Sequence, residues 1–338
     1  MPPEPIDPAL SIFAFGTILL SIVACVNVIH MRRSGPVLPY EPRRPVPWGP
    51  IGCILAMVYL LMTAMSALGG EGDGKAEPHT ASTLLVAIVV QLLIVGAFLF
   101  LIVAFTKATP RDLGLPTKGR QWVRDVCIGA AACLAALAPV LLLQEALMHM
   151  LFPNHTSSGH PLIKMLTEAP PTPGVFFLSA VFAVVVAPVC EEITFRLLLQ
   201  GWLERWEDEQ LGWRRITSSE PPIQLTPVSD SAGAVTLDQP IHADASPVVA
   251  EELSFASDPP QRGVMGLPYG WLPIMISAAA FGLAHFGYGP EPVPLFLLAL
   301  VLGYLYQRTH SIIPGIVAHA LFNLFSMIIL WRMVYHHG

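Results

Sequence analysis

Three short stretches of the sequence carry polar side chains into surroundings that are otherwise apolar. The first, APVCEEITFR, brings Glu191 and Glu192 directly after sixteen uncharged residues from Val175 to Cys190, with Arg196 close behind. The second, FGLAH, sets Phe281 and His285 four apart, and the third, HALFN, does the same for His319 and Asn323. Residues four apart share a helix face, so Glu192 can pair with Arg196. Glu191 lies about 100° further round the helix and is left without that partner. A structural ion pair needs one glutamate, which makes the second a candidate base. Glu191 can take a proton from a water as it attacks a carbonyl, with His285 orienting the water or sharing the base role. His319 and the Asn323 amide can donate hydrogen bonds to the developing oxyanion.

This chemistry needs no serine or cysteine nucleophile, and Cys190 reads as a packing residue. Cys25, Cys53, Cys127, Cys133 and Cys190 lie in or beside apolar runs without a CxxC pair, so neither a thiol zinc site nor a disulfide framework is indicated. Glu191, His285 and His319 are legitimate zinc ligands. The HExxH arrangement is absent, however, and EExxxR stands in its place. The expectation is water activation without a cofactor, with zinc on those three residues as the alternative.

The elements that position these groups must lie in lipid. Charged residues make up 12% of the chain, against about 25% in a soluble domain. Hydrophobic residues make up 54% and mean hydropathy is +0.60. The apolar residues are blocked into long runs, and about 20 of them at about 1.5 Å each cross the hydrocarbon core. Eight segments can be drawn: 9–29, 51–68, 81–105, 126–148, 174–203, 271–287, 294–307 and 312–331. The expected fold is therefore all-α and polytopic, about eight transmembrane helices with an intramembrane catalytic cavity. The sixth and seventh segments are short and rich in Gly and Pro, so they must be buried or line a cavity. The first segment starts after PPEPIDP, which has no Lys or Arg and does not read as a signal peptide.

Loop charge gives the expected orientation. The 30–50 loop carries Arg32, Arg33, Arg43 and Arg44, and the 106–125 loop carries Lys107, Arg111, Lys118, Arg120 and Arg124. The 70–80 loop has Lys75 against Glu71, Asp73 and Glu77. Both termini are therefore expected outside, and the site is expected to open to the cytoplasm. The chain divides into an N-terminal transmembrane region, 1–170, and a catalytic region, 171–338, interrupted by an acidic Pro- and Ser-rich insert at 218–262. That insert lacks the apolar periodicity to offset chain entropy and reads as disordered. The preceding LERWEDEQLGWRR reads as a helix leaving the membrane, with Trp202, Trp206 and Trp213 near the headgroups.

Other polar residues take blander readings. Asn27 is a helix-contact residue, Gln91 a packing hydrogen bond, and Glu145 with His149 an outer-boundary pair. His310, His336 and His337 fall in a turn or at the chain end, away from the cluster. The sequon Asn154-His155-Thr156 falls on an outward loop.

Taken together, Glu191-Glu192-x-x-x-Arg196, Phe281-x-x-x-His285 and His319-x-x-x-Asn323 resemble the CPBP intramembrane proteases. This is the CAAX-protease and bacteriocin-processing (Abi) family, which includes the type II CAAX endopeptidases. The resemblance covers roughly 174–331, and the first four spans carry nothing diagnostic. It implies a conical cavity in the membrane, with Glu191 and His285 activating water and His319 and Asn323 forming the oxyanion hole. Arg196 would hold the acidic cluster and help bind substrate, and the chemistry would depend on glutamate rather than metal. The implied substrate is a membrane-embedded or lipidated peptide or protein, and the arginine distribution with few lysines points to a prokaryotic cytoplasmic membrane. Nothing in the sequence reads out a prenyl group or fixes an oligomeric state.

Two other classes compete with a protease. A transporter could use buried Glu, His and Arg as a path, but it would spread them along a through-route. A non-cleaving scaffold or immunity protein could retain the fold. With a net charge of −6 and no basic surface, nucleic acid is not an expected partner.

Overall fold

In lipid, backbone N–H and C=O groups must find partners within the chain, and long apolar runs do so by becoming helical. The computed structural model describes residues 8–42, 45–69, 81–151, 166, 172–212, 259–286 and 290–335. The described residues form eight helices, one short 3-10 turn (Val264–Gly266) and no sheet, apart from an isolated bridge between Arg262 and Pro268. The segments are α1 (Pro8–Ser34), α2 (Ile51–Gly69), α3 (Ala81–Thr106), α4 (Gly119–Leu151), α5 (Pro173–Gln210), α6 (Trp271–Leu283), α7 (Pro292–Thr309) and α8 (Ile313–Tyr335).

Helices are present at all eight expected places, yet they are not eight equal spans. Among the described residues five are long and apolar enough to cross a membrane: α1, α3, α4, α5 and α8. The thirteen residues of α6 reach about 20 Å, against about 30 Å of hydrocarbon. Gly270 in the left-handed region (φ 81°) caps its start, and a turn from Ala284 to Phe286 ends it.

The longest segment, α5, is not uniformly α-helical. Wider π-helical turns occupy Phe182–Val186 and Glu192–Gln200. Pro188 accounts for the first: it has no N–H for the carbonyl four residues back, and its ring crowds that turn. The helix widens instead, and the Ala187 N–H bonds to Phe182 O.

Packing joins the late helices to the early ones. α4 lies along α8, α7 and α1, α6 lies along α7, and α2 lies against the Glu192–Gln200 stretch of α5. One apolar cluster gathers α2, α3, α5 and α6, including Tyr59, Phe195 and Phe281. A second gathers α4, α7 and α8. α1 is peripheral, with 6% of its apolar window buried.

The connections α1–α2 and α3–α4, the C-terminal end of α5 and the α7–α8 turn meet at one end of the bundle. Arg205 donates to Val46 O and Pro47 O, and Ile312 N donates to Gly114 O. His310 Nδ1 donates to Glu41 O at 2.6 Å. At this end the structure adds two features to the sequence reading. Glu204, Glu207 and Asp208 of α5 are buried. Glu207 accepts from Val264 N and Gly270 N, and Asp208 accepts from the Tyr269 hydroxyl. His310 is also buried, with Nε2 3.4 Å from Glu204 Oε2. The 259–270 return segment supplies the backbone donors that make these carboxylates tolerable away from water. The 70–80 loop, the sequon at 154–156, Arg43, Arg44, Trp213, residues 218–258 of the insert, and His336 and His337 lie outside the described residues.

Candidate active site

Three elements bring the motif residues together. Glu191 stands at the middle of α5, at the junction where α-helix gives way to the second π-helical stretch. His319 lies on the second turn of α8. His285 follows the short α6, so the early end of that helix sets its depth.

The His319 ring stands between the two glutamates. Its Nδ1 is 3.3 Å from Glu192 Oε1, and its Nε2 is 3.8 Å from Glu191 Oε2. The first is a hydrogen bond; the second is too long for one. Glu192 is wholly buried, with Arg196 Nε 3.3 Å from its Oε2, the ion pair expected from their spacing. Arg196 also donates from Nη2 to Ala299 O at 3.4 Å. The Glu191 side chain keeps 16% exposure. The two adjacent acids therefore occupy different environments, one locked by a cation and one at an accessible edge.

Phe281 is the apolar hub. Its ring is fully buried, 5.0 Å from the His285 ring, 5.6 Å from the His319 ring and 5.3 Å from the Phe195 ring. The Arg196 guanidinium lies over its face at 4.7 Å, a cation–π contact. The two imidazoles are thus no further apart than those two ring distances combined. His285 Nδ1 lies 2.9 Å from Phe281 O. A carbonyl only accepts, so this nitrogen carries the hydrogen and Nε2 of the neutral ring is an acceptor.

Asn323, one turn beyond His319, donates from Nδ2 to Ala183 O at 2.7 Å. Ala183 is in the first π-helical stretch, where widened turns change which carbonyls are free to accept. One amide hydrogen of Asn323 is thus committed to α5, and an amide has a second. Among the described residues no group of three or more His, Cys, Asp or Glu is arranged to hold a metal ion.

Sequence reasoning passed over Gly315, on which the site also depends. A Cβ there would come within 2.5 Å of Glu192 Oε2. Its signal was present, since Gly315 lies four residues before His319 and therefore on the same helix face.

The fold and this buried Glu/His/Arg cluster define a polytopic membrane hydrolase of the intramembrane protease class. A family model described as "Type II CAAX prenyl endopeptidase Rce1-like" matches residues 173–219 and 246–325, which hold all three motifs. Over this region the chain is similar to the Rce1-like CAAX endopeptidases. The unmatched stretch 220–245 falls inside the acidic insert. No curated protein and no solved structure matches the chain.

Proposed function

We propose that this protein cleaves a peptide bond of a membrane-embedded or lipidated substrate with a water activated by Glu191. The arrangement of His319 between two inequivalent glutamates carries this reading: Glu192 is tied to Arg196, while Glu191 faces accessible space. Glu191 accepts a proton from the water as the water oxygen bonds to the scissile carbonyl carbon. His285 Nε2, an acceptor by virtue of the bond from Nδ1 to Phe281 O, receives the water's other hydrogen bond and orients it.

The carbonyl oxygen becomes an oxyanion, which the Nε2–H of His319 and the second amide hydrogen of Asn323 stabilise. With Nδ1 donating to Glu192, that role makes His319 an imidazolium, and its charge offsets the second carboxylate. The intermediate collapses as the carbon–nitrogen bond breaks, and the proton held by Glu191 passes to the leaving amine.

In this reading no metal takes part, because the buried Arg196 guanidinium supplies positive charge where a dication would otherwise sit. Eight membrane passes with both termini outside would put the end carrying Glu204 and His310 in the cytoplasm. The substrate then enters from the cytoplasmic leaflet of the membrane, in a prokaryotic host.

The deciding experiment compares membrane peptides by mass spectrometry from cells carrying the wild type and Glu191→Ala. Peptides ending at a new C-terminus should be present with the first and missing with the second, at equal protein levels. Identical peptide sets with an active wild-type preparation would overturn the role given to Glu191.

A further inference from the structure

Ser277 on α6 spends its hydroxyl differently from its counterparts on other helices. Thr17, Thr106, Thr194 and Ser326 each donate back to the carbonyl four residues earlier on their own helix. That is the local recourse of Ser and Thr in a helix. For Ser277 the same bond would go to Pro273 O. Its Oγ instead donates across to Phe195 O on α5 at 2.7 Å, from a side chain that is buried. Among the described residues from Trp271 to Phe286, it alone places a side-chain hydrogen bond on another helix.

The acceptor arises from the same irregularity that receives Asn323. Phe195 lies in the second π-helical stretch of α5, as Ala183 lies in the first. Each widened stretch offers a carbonyl to a helix that leads to a motif histidine: Ala183 O to Asn323 of α8, and Phe195 O to Ser277 of α6. Phe195 is one turn from Glu191 on α5. Ser277 is one turn from Phe281 on α6, and His285 follows Phe281 by the same four residues. His285 Nδ1 is in turn bonded to Phe281 O. The Ser277 bond thus closes a short path from the helix of the candidate base to the imidazole assigned to orient its water.

Other contacts of α6 hold it less directly. Against α7 it packs by close approach: a Cβ on Gly282 would meet Pro292 O at 2.8 Å, and one on Gly303 would meet Ile274 Cγ2 at 3.1 Å. Apolar packing is not directional, whereas a hydrogen bond between helices fixes how far one stands along the other. Glu207 ties Gly270 N just before the helix begins. Ser277 ties its middle, two turns from His285.

The geometry points to Ser277 as a positioning residue, whose bond to Phe195 O sets the depth of α6 on α5 and with it the Phe281 and His285 rings. This rests on the proteolytic reading above and adds to the site a residue outside the three motifs. Without the hydroxyl, α6 loses its polar tie to α5, and Phe281 O carries His285 with any shift.

The test uses the full chain in lipid nanodiscs, with a farnesylated CAAX peptide as the probe of turnover and spectra of isotope-labelled histidine as the probe of the ring. Ser277→Ala should lower kcat about tenfold or more with KM within about twofold. Ser277→Thr and Ser277→Val share a shape and differ in the hydroxyl, so Thr should exceed Val in kcat by about tenfold. The imidazole resonance that vanishes in His285→Gln should shift in Ser277→Ala, and should lie nearer its wild-type place in Ser277→Thr than in Ser277→Val. That measurement needs no substrate.

A hydroxyl that only adds stability would lower Tm and leave kcat and the His285 resonance of the folded protein unchanged. Equal kcat in Ser277→Thr and Ser277→Val, or an unmoved resonance in Ser277→Ala, overturns the inference. Wild-type turnover in Glu191→Gln would instead defeat the proteolytic reading, and the resonance would still report how Ser277 seats His285.

Discussion

Gly315 on α8 and the Glu192 carboxylate on α5 are in direct apposition. A methyl group at Gly315 would lie 2.5 Å from Glu192 Oε2, inside van der Waals contact. Glu192 cannot retreat easily, because Arg196 and His319 hold its oxygens. The first turn of α8 therefore sets where the locked carboxylate sits, and through it the His319 ring.

Gly315→Ala is accordingly expected to damage catalysis more than stability. The added methyl displaces Glu192 and tilts His319 away from Glu191, and a misplacement of about 1 Å is worth about 100-fold in rate. Purified Gly315→Ala should melt within a few degrees of wild type while kcat/KM falls by about that factor. Wild-type turnover would mean that Glu192 moves without consequence.

The Glu192–Arg196 pair is wholly buried, so its partners are not equivalent to a surface bridge. Removing one partner from a buried pair costs about 3–5 kcal/mol, whereas replacing both with apolar groups is often close to neutral. Arg196→Met should therefore lower Tm sharply, and Glu192→Leu/Arg196→Met should recover much of it. Both variants should be inactive: the double variant loses Glu192, which anchors His319, and Arg196→Met leaves that carboxylate without the cation that fixes it. A double variant less stable than Arg196→Met would show that Glu192 is held chiefly by other groups.

Much of this was legible in the sequence, and the reasons can be given residue by residue. Long apolar runs place the helices, because lipid leaves the backbone few alternatives. The four-residue spacings of Glu192 with Arg196 and His319 with Asn323 assign shared faces, because helical periodicity is local. Partners from different helices are not local. That Asn323 spends one hydrogen on Ala183 O depends on the π-turn created by Pro188. That Glu204 is buried against His310 depends on how the α7–α8 turn meets the end of α5. Nothing local to Trp202 and Trp206 announces that the 259–270 segment returns to bond the acids beside them.

Glu204 and His310 form a second buried carboxylate–imidazole pair, with Gln200 donating to Glu204 Oε1 at 3.1 Å and to Gly303 O at 2.9 Å. His310 Nδ1 also ties in the α1–α2 connection through Glu41 O. The chemistry resembles that of the active site, but the His310 contacts to Glu204 and to Glu41 O, and the Gln200 bond to Gly303 O, each join one element to another. His310→Phe should cost about 1–3 kcal/mol from the groups left unsatisfied. The folded fraction should keep kcat within about threefold. A 100-fold loss of kcat with unchanged Tm would make this second pair part of the reaction.

Asn323 separates the oxyanion role from the packing role. Asn323→Ala removes the proposed donor to the oxyanion and also the bond to Ala183 O, so it lowers both rate and stability. Losing one oxyanion donor costs about 100- to 1,000-fold in kcat with little change in KM. Asn323→Ser shortens the side chain yet keeps a hydroxyl donor, and should retain more activity than alanine at similar Tm. Equal kcat in the two variants would assign Asn323 to packing alone.

Metal dependence gives the last test, and it bears on how Glu191 obtains its nucleophile. A water activated by Glu191 needs a nearby acceptor for its hydrogen and donors for the oxyanion, roles that the proposal gives to residues of α5 and α8 and to His285 after α6. A zinc-bound water would instead need Glu191, His285 and His319 turned onto one ion at about 2.0–2.2 Å each. The His285 bond from Nδ1 to Phe281 O is compatible with either, because it leaves Nε2 as the free acceptor. The proposed metal-free route draws its support from the Arg196 guanidinium, which already answers the Glu192 charge. Purified wild type should therefore keep full activity after dialysis against a zinc chelator and contain well under one metal ion per chain. Activity lost with a stoichiometric zinc and regained on its return would replace the glutamate-activated water with a metal-bound one.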